Sequence, residues 1–238
     1  MRYALIADVH GCYNQLIIAL KYLGFYRDEE GTWTTNGKYF VISLGDLNDY
    51  RHKEGLEKSS SIGCINTMMQ LNQLGWSETV NSNHQDKFVR WLRGNRVTTT
   101  WGLEHTVEEF KRYASEGTRE EVRQRLLKWL ECRPNYYYFE EDGKKYVAAH
   151  AYYSPNTPNK EPKQAKDISI YGPRVGGGSN QRAEWWKYQA PHDRFVIVGH
   201  YHETWFLEGS AGIDGGAGEG GPLNIYIPST KELISIEY

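Results

Sequence analysis

Tyr3-Ala4-Leu5-Ile6-Ala7-Asp8-Val9-His10-Gly11 decides how this chain is read. Its first five residues form an unbroken apolar run, as expected of a short strand buried on both faces. The run stops at a carboxylate, and Gly11 permits a sharp turn. Asp8 and His10 are two apart, so at an extended strand end both side chains point the same way and can grip one cation. A helix is expected next, with Leu16, Ile17, Leu20 and Leu23 on one face and Gly24 as its stop.

The pattern recurs outward from this segment. Residues 39–44 form a second apolar run ending in Gly45-Asp46, followed by a helix marked by Ile62, Ile65 and Met69 and closed by Gly75. Such β-α-β alternation argues for an α/β domain. Residues 86–132 look helical, with Val122, Leu126, Trp129 and Leu130 on one stripe and Pro134 as the end. A β-hairpin is expected from 136–140 and 145–149 around Asp142-Gly143, with further strands at 195–198, 223–227 and 233–236. Segments 154–166, 176–178 and 212–221 read as loops. With no internal repeat and no clean boundary, one domain is expected over residues 1–238, with a helical insertion at about 86–133.

Bulk properties exclude several classes. Apolar residues at 39% and charged residues at 24% argue against a disordered or fibrous chain. Lys plus Arg (28) nearly balance Asp plus Glu (30), so the global field selects no partner. Cys12, Cys64 and Cys132 are odd in number and form no Cys-x-x-Cys pair, which favours reduced thiols and a cytoplasmic setting. No stretch reaches the length of a membrane span, and the apolar run after Met1 is too short for a signal peptide.

The chemistry lies in residues that end apolar runs or sit in turns. Asp8, His10, Asp46, Asn83, His150, His200 and His202 offer carboxylates, imidazoles and an amide oxygen, a set suited to manganese, with iron, zinc or nickel as other fits. These donors exceed what one tetrahedral ion needs. They suit two ions sharing a carboxylate, as used for attack on phosphorus. Asp46, the single carboxylate of its Gly-Asp turn, is the natural bridge; its bland alternative is a turn or helix cap. Adjacent residues cannot easily face one ion, so His84 is expected beside the substrate as a general acid. Asp49 behind it would hold the tautomer and raise its pKa. Arg51 and Arg174 are candidate phosphate donors. Lys87, Arg90 and Arg93 form a basic stripe that reads either as a polyanion track or as an ordinary solvated helix face.

Asp8-x-His10, Gly45-Asp46-x-x-Asp49, Asn83-His84, the lone His150 and Gly199-His200-x-His202 together resemble the calcineurin-like metallophosphoesterases over essentially the whole chain. The segment from Asn83 to Gly94, with Gly102-Leu103-Glu104-His105-Thr106-Val107, Ile170-Tyr171-Gly172 and Ile213-Asp214-Gly215-Gly216, is similar to the phosphatase module of bacterial polynucleotide kinase-phosphatases. Symmetrical diadenosine tetraphosphatases and phage-type protein Ser/Thr phosphatases belong to the same group. The resemblance implies two packed mixed β-sheets flanked by helices. It gives one ion Asp8, His10, Asp46 and His202, the other Asp46, Asn83, His150 and His200, and makes Asp214 a supporting residue. It implies hydrolysis of phosphate esters by a metal-bound hydroxide, on nucleotides or polynucleotide ends including 2′,3′-cyclic phosphates. The alternatives are a protein Ser/Thr phosphatase, a diadenosine tetraphosphate hydrolase, or a weakly active binding module stabilised by its metals. Tyr50 stands where the family has an arginine, Ser82 and Gln85 replace a glycine and an acidic residue, and residues 51–60 make a longer, more charged loop.

Overall fold

A computed structural model describes residues 1–51, 59–174, 185 and 193–237. The chain runs through β1 (Arg2–Ile6), α1 (Tyr13–Tyr22), the hairpin of β2 (Phe25–Arg27) and β3 (Trp33–Thr35), then β4 (Tyr39–Ser43), α2 (Ser61–Gln73) and β5 (Ser77–Thr79). Helices α3 (Asn83–Leu92), α4 (Leu103–Tyr113) and α5 (Arg119–Glu131) precede the hairpin β6 (Tyr136–Glu141) and β7 (Lys144–Ala149). Then come α6 (Pro162–Tyr171), β8 (Phe195–Val198), β9 (Thr204–Phe206), β10 (Ser210–Ile213), β11 (Leu223–Ile227) and β12 (Glu232–Ile236).

Two mixed sheets result, ordered β12-β11-β1-β4-β5 and β6-β7-β8-β10-β9. In the first, β1, β4 and β5 are parallel; in the second, β7, β8 and β10 are. The unbroken apolar runs follow from packing on both faces. Leu5 and Ile42 meet Ala148 and Ile197 between the sheets, while Ala4, Ile6 and Val41 face Leu16, Leu20, Ile62 and Ile65 of the flanking helices. Val147, Ala149, Val196 and Val198 pack outward against Tyr153 and Trp185. Each buried Leu or Ile contributes ~1.5–3 kcal/mol. A slip of one residue would exchange the two faces of a strand, so the register is tightly specified. Asp142 and Gly143 both have positive φ (51° and 71°), as a tight two-residue hairpin turn requires.

Three local expectations are corrected. The helical stretch 86–132 is three helices, the first starting earlier at Asn83, with left-handed glycines at Gly94 and Gly102 (φ 82° and 88°) in the break between the first two. Segment 154–166 is not all loop, because Pro162 opens α6 at a position where its missing N–H costs nothing. Gly212 lies in β10, where a Cβ would sit 2.1 Å from the Trp205 ring. The expected loop at 176–178 and residues 52–58 of the charged loop lie outside the described residues. Among the described residues no helix is long and apolar enough to cross a membrane.

The topology positions the candidate ligands. Ile6 pairs with Ser43 in the parallel β1–β4 ladder, and Ala149 with Val198 in β7–β8. Asp8 and Asp46 therefore follow the carboxyl ends of β1 and β4 in one sheet, and His150 and His200 those of β7 and β8 in the other, the strand ends where open α/β sheets collect ligands.

Candidate metal centre

Backbone hydrogen bonds join the turns that carry the donors. Val9 N–H donates to Asp46 O at 3.2 Å and Gly11 N–H to Leu47 O at 3.1 Å, while Gly199 N–H donates to His150 O at 2.9 Å. His10, Asp46, Asp49, His200 and His202 all adopt left-handed conformations, with φ of 46°, 44°, 73°, 71° and 53°. Side-chain-bearing residues seldom do so. Strain of this kind persists only where the surroundings over-determine it, and it collects at functional sites. Gly45 makes the Asp46 turn possible: its φ is 97°, and a Cβ there would meet the Ser82 Cβ at 2.6 Å.

Ligand atoms of His10, Asp46 and His84 lie within 4.8 Å of one another, and so do those of Asp46, His150 and His200. Asp46 is common to both groups. Its Oδ2 is 3.5 Å from Nε2 of His10 and 3.5 Å from Nε2 of His150. His10 turns Nδ1 to Asn48 O at 3.2 Å and His150 turns Nδ1 to Leu44 O at 2.9 Å. A backbone carbonyl accepts only from N–H, so each ring is left with its Nε2 lone pair facing the centre. That is the support metal-bound imidazoles use. Nε2 of His150 then faces Asn83 Oδ1 at 2.7 Å, an approach of two acceptors with no proton between them. Two ligands about 2.1 Å from one tetrahedral ion lie roughly 3.4 Å apart, which the 3.5 Å between Asp46 Oδ2 and each of the two imidazole nitrogens matches. Asp8 accepts the His200 N–H through Oδ2 at 2.9 Å, while its buried Oδ1 has no hydrogen-bond partner among the described residues.

Electrostatics lead to the same conclusion. Asp8, Asp46 and Asp214 are all at most 2% exposed. Burial, then Asp214 and Asp46, push the Asp8 carboxyl well above its usual range; burial also raises Asp214. Burial alone would raise Asp46 too, but His150, His84, His10 and the Ser82 hydrogen bond together hold it below the usual carboxylate range. Burial lowers His150 and brings His10 down to about 3, so both imidazoles are neutral and able to ligate at neutral pH. Concentrated buried carboxylate with neutral imidazoles and an orphaned oxygen is a donor set short of positive charge. Divalent ions fit it.

His84 lies in the first turn of α3, and its backbone N–H donates to Asp46 Oδ1 at 3.2 Å. Its Nδ1 meets Asp49 Oδ2 at 2.7 Å. Asp49 is buried and fixed at Oδ1 by Asn48 Nδ2 and Thr106 Oγ1, both at 2.7 Å. Burial would depress the His84 pKa, but Asp46 and Asp49 outweigh it and the net shift is upward. Ser82 and Gln85 work as one unit: Ser82 Oγ accepts from Asp46 N–H at 2.9 Å and donates to Gln85 Oε1 at 2.8 Å.

The other expected residues divide. Tyr50 is buried in the core, whereas Arg51 lines the cleft over the cluster, with Nη2 3.5 Å from Nε2 of both His10 and His202. His202 stands at the cleft mouth, its N–H donating to Asp214 Oδ2 at 2.9 Å. Arg174 is exposed and lines a separate cavity that, among the described residues, shares only Tyr171 with the cleft. Lys87 lines the cleft, but Arg90 pairs with Asp86 at 3.2 Å and Arg93 with Glu131 at 2.7 Å. Asn48, Glu219 and Trp101 escaped the sequence reading, and Thr106 entered it only within a family-like segment, without a role. Asn48 had a signal in its adjacency to Asp49. Glu219, which pairs with Arg51 at 3.2 Å from a Gly-rich turn, had none.

The family model for calcineurin-like phosphoesterases matches residues 1–223. A bis(5′-nucleosyl)-tetraphosphatase [asymmetrical] of Anoxybacillus flavithermus is 31% identical over 99% of this chain and 94% of its own length. A relative of the same name from Oceanobacillus iheyensis is 26% identical over 99% of this chain and 92% of its own. Among solved structures, a candidate diadenosine tetraphosphatase aligns over 100% of this chain and 94% of its own at TM-score 0.64 and 16% identity. A Saccharomyces cerevisiae protein serine/threonine phosphatase aligns over 100% and 80% at TM-score 0.55 and 12% identity. At these identities the two structures speak to the fold alone, and the fold agrees. With its site residues at the strand ends and the family pattern spanning nearly its whole length, the chain belongs to the calcineurin-like phosphoesterases and is a metal-dependent phosphoester hydrolase.

Proposed function

We propose that this enzyme cleaves nucleoside polyphosphates at a dinuclear centre, with bis(5′-nucleosyl) tetraphosphates as its preferred substrates. The observation that carries the proposal is Asp46, whose one carboxylate stands 3.5 Å from an imidazole on either side. His10 and Asp46, joined by Asp8 and His202, would hold one ion; Asn83, His150 and His200 would hold the other, with Asp46 shared. Divalent ions, manganese first, would neutralise phosphate charge and supply an activated water as nucleophile.

The chain's own residues do the rest. Arg51 offers a guanidinium for non-bridging phosphate oxygens as negative charge gathers on them. With Nδ1 held by Asp49, His84 presents Nε2 and gives its proton to the oxygen that leaves as the P–O bond breaks. Asp49 keeps the tautomer fixed and favours the protonated ring. The names of the full-length relatives favour a dinucleoside tetraphosphate over a polynucleotide end, and the pairing of Arg90 and Arg93 leaves Lys87 as the stripe's cation at the cleft.

The test is a manganese-dependent assay comparing bis(5′-adenosyl) tetraphosphate, adenosine 2′,3′-cyclic phosphate, a phosphopeptide and an aryl phosphate. The tetraphosphate should have the highest kcat/KM. Preference for the cyclic phosphate would move the assignment to polynucleotide ends. Preference for the phosphopeptide would make it a protein phosphatase, and no metal-dependent turnover of any would leave a binding module.

A further inference from the structure

We infer that Trp101 is a stacking platform for a nucleobase of the substrate, an inference that rests on the nucleotide reading above. Trp101 is 70% exposed, so the hydrophobic core gains little from it. Its φ is 63°, a left-handed conformation that is a true outlier for so bulky a side chain. An indole that is both strained and solvated is costly for the folded chain on its own account. Yet it is held firmly. On one side Gly102, with φ 88°, packs so closely that a Cβ would lie 2.6 Å from the Asp49 backbone. On the other, Lys87 Nζ donates to Thr100 O at 3.0 Å. Both anchors belong to the site: Asp49 backs His84, and Lys87 lines the same cleft as Trp101.

That cleft, of about 320 Å³, is lined by Trp101 together with His10, Asp46, His84 and Arg51. Phosphates held over the cluster would therefore leave the attached nucleoside within the same cleft as the indole. Every base has a π-face, and stacking on an exposed aromatic is the sequence-tolerant way to hold one. Lys87 beside the indole suits the phosphates between base and cluster. Trp101 thus acts on binding and substrate choice, separately from the proton transfer assigned to His84.

Trp101→Ala and Trp101→Phe decide the matter with the full-length, metal-loaded enzyme. Kinetics on bis(5′-adenosyl) tetraphosphate are compared with those on inorganic tripolyphosphate, which has the anhydride but no base. Trp101→Ala should raise KM for the nucleotide about ten-fold or more relative to its effect on tripolyphosphate, and Trp101→Phe much less, since phenyl still stacks. As a second readout, adenosine 5′-monophosphate should quench wild-type tryptophan fluorescence where ribose 5-phosphate does not, and the quench should vanish in both variants. Equal effects on both substrates, or a quench that survives in the variants, overturns the platform. A wild type that turns over no nucleoside polyphosphate rejects the functional reading instead, and the fluorescence pair still decides the role of Trp101.

Discussion

Asp46 and His84 are joined by a hydrogen bond between His84 N–H and Asp46 Oδ1, but their expected roles separate cleanly. Asp46→Asn removes a charge shared by both imidazole groups, so elemental analysis should show reduced occupancy of two ions; a single ion held equally by wild type and variant would refute the shared centre. His84→Ala should leave the metal content intact and lower turnover of an alkyl phosphate ester, whose alkoxide leaves poorly, by roughly two to four powers of ten, the usual worth of a positioned acid. The loss should shrink for a nitrophenyl leaving group, which needs no proton; an equal loss on poor and good leaving groups would remove His84 from that role. A pH profile provides an independent check. His84 is raised above its ordinary value, and an acid works only while protonated, so activity should fall as pH rises through that raised pKa. Asp49→Asn removes one of the interactions that raise it and should move the falling limb to lower pH. A limb that stays in place would show that another group titrates there.

Among the elements, α3 concentrates the most function, since its N-terminus carries Asn83 and His84 and its first turn supports the Asp46 loop through Ser82 and Gln85. These two departures from the family pattern compensate for each other. Ser82→Gly alone should leave the buried Gln85 without its hydroxyl partner and destabilise the fold by about 1–3 kcal/mol in denaturant titration. Ser82→Gly with Gln85→Glu restores the family pattern and should recover part of that loss; additive penalties would show the pair to be independent. The strands that position the site were legible because β1, β4 and β8 are apolar on both faces and end in Asp or Gly-His. β2, β5 and β9, three residues each, are too short to show a period, and the chain from Asp86 to Cys132 shows helical stripes without revealing where Gly94 and Gly102 break them. The donors were legible because each ends a strand or opens a helix. Trp101 and the contact of Thr106 with Asp49 were not, because only tertiary packing brings α4 against Asp49.

At the scale of the whole molecule, the centre joins two sheets around buried charge, so its ions should stabilise the fold as well as serve chemistry. Asp8 and Asp214 have folded-state pKa values raised by burial, with repulsion adding to the rise at Asp8. Between the ordinary value of about 3.9 and those raised values, the folded chain binds more protons than the unfolded one. These two carboxyls therefore make metal-free stability fall as pH rises through that window, against the opposite contribution of His10 and His150, which burial lowers. Asp46, held low, works in the opposite sense, but its window lies below the ordinary value and does not overlap. A divalent ion offsets the cost that deprotonation imposes, and it binds only the folded arrangement. At a hundred-fold excess over Kd it should add about 2.7 kcal/mol per site. Thermal melts with manganese or with chelator should accordingly diverge as pH rises and converge in acid, where protons compete for the same oxygens. An identical metal-induced shift in Tm at pH 5 and pH 8 would mean that the ions bind somewhere other than this carboxylate cluster.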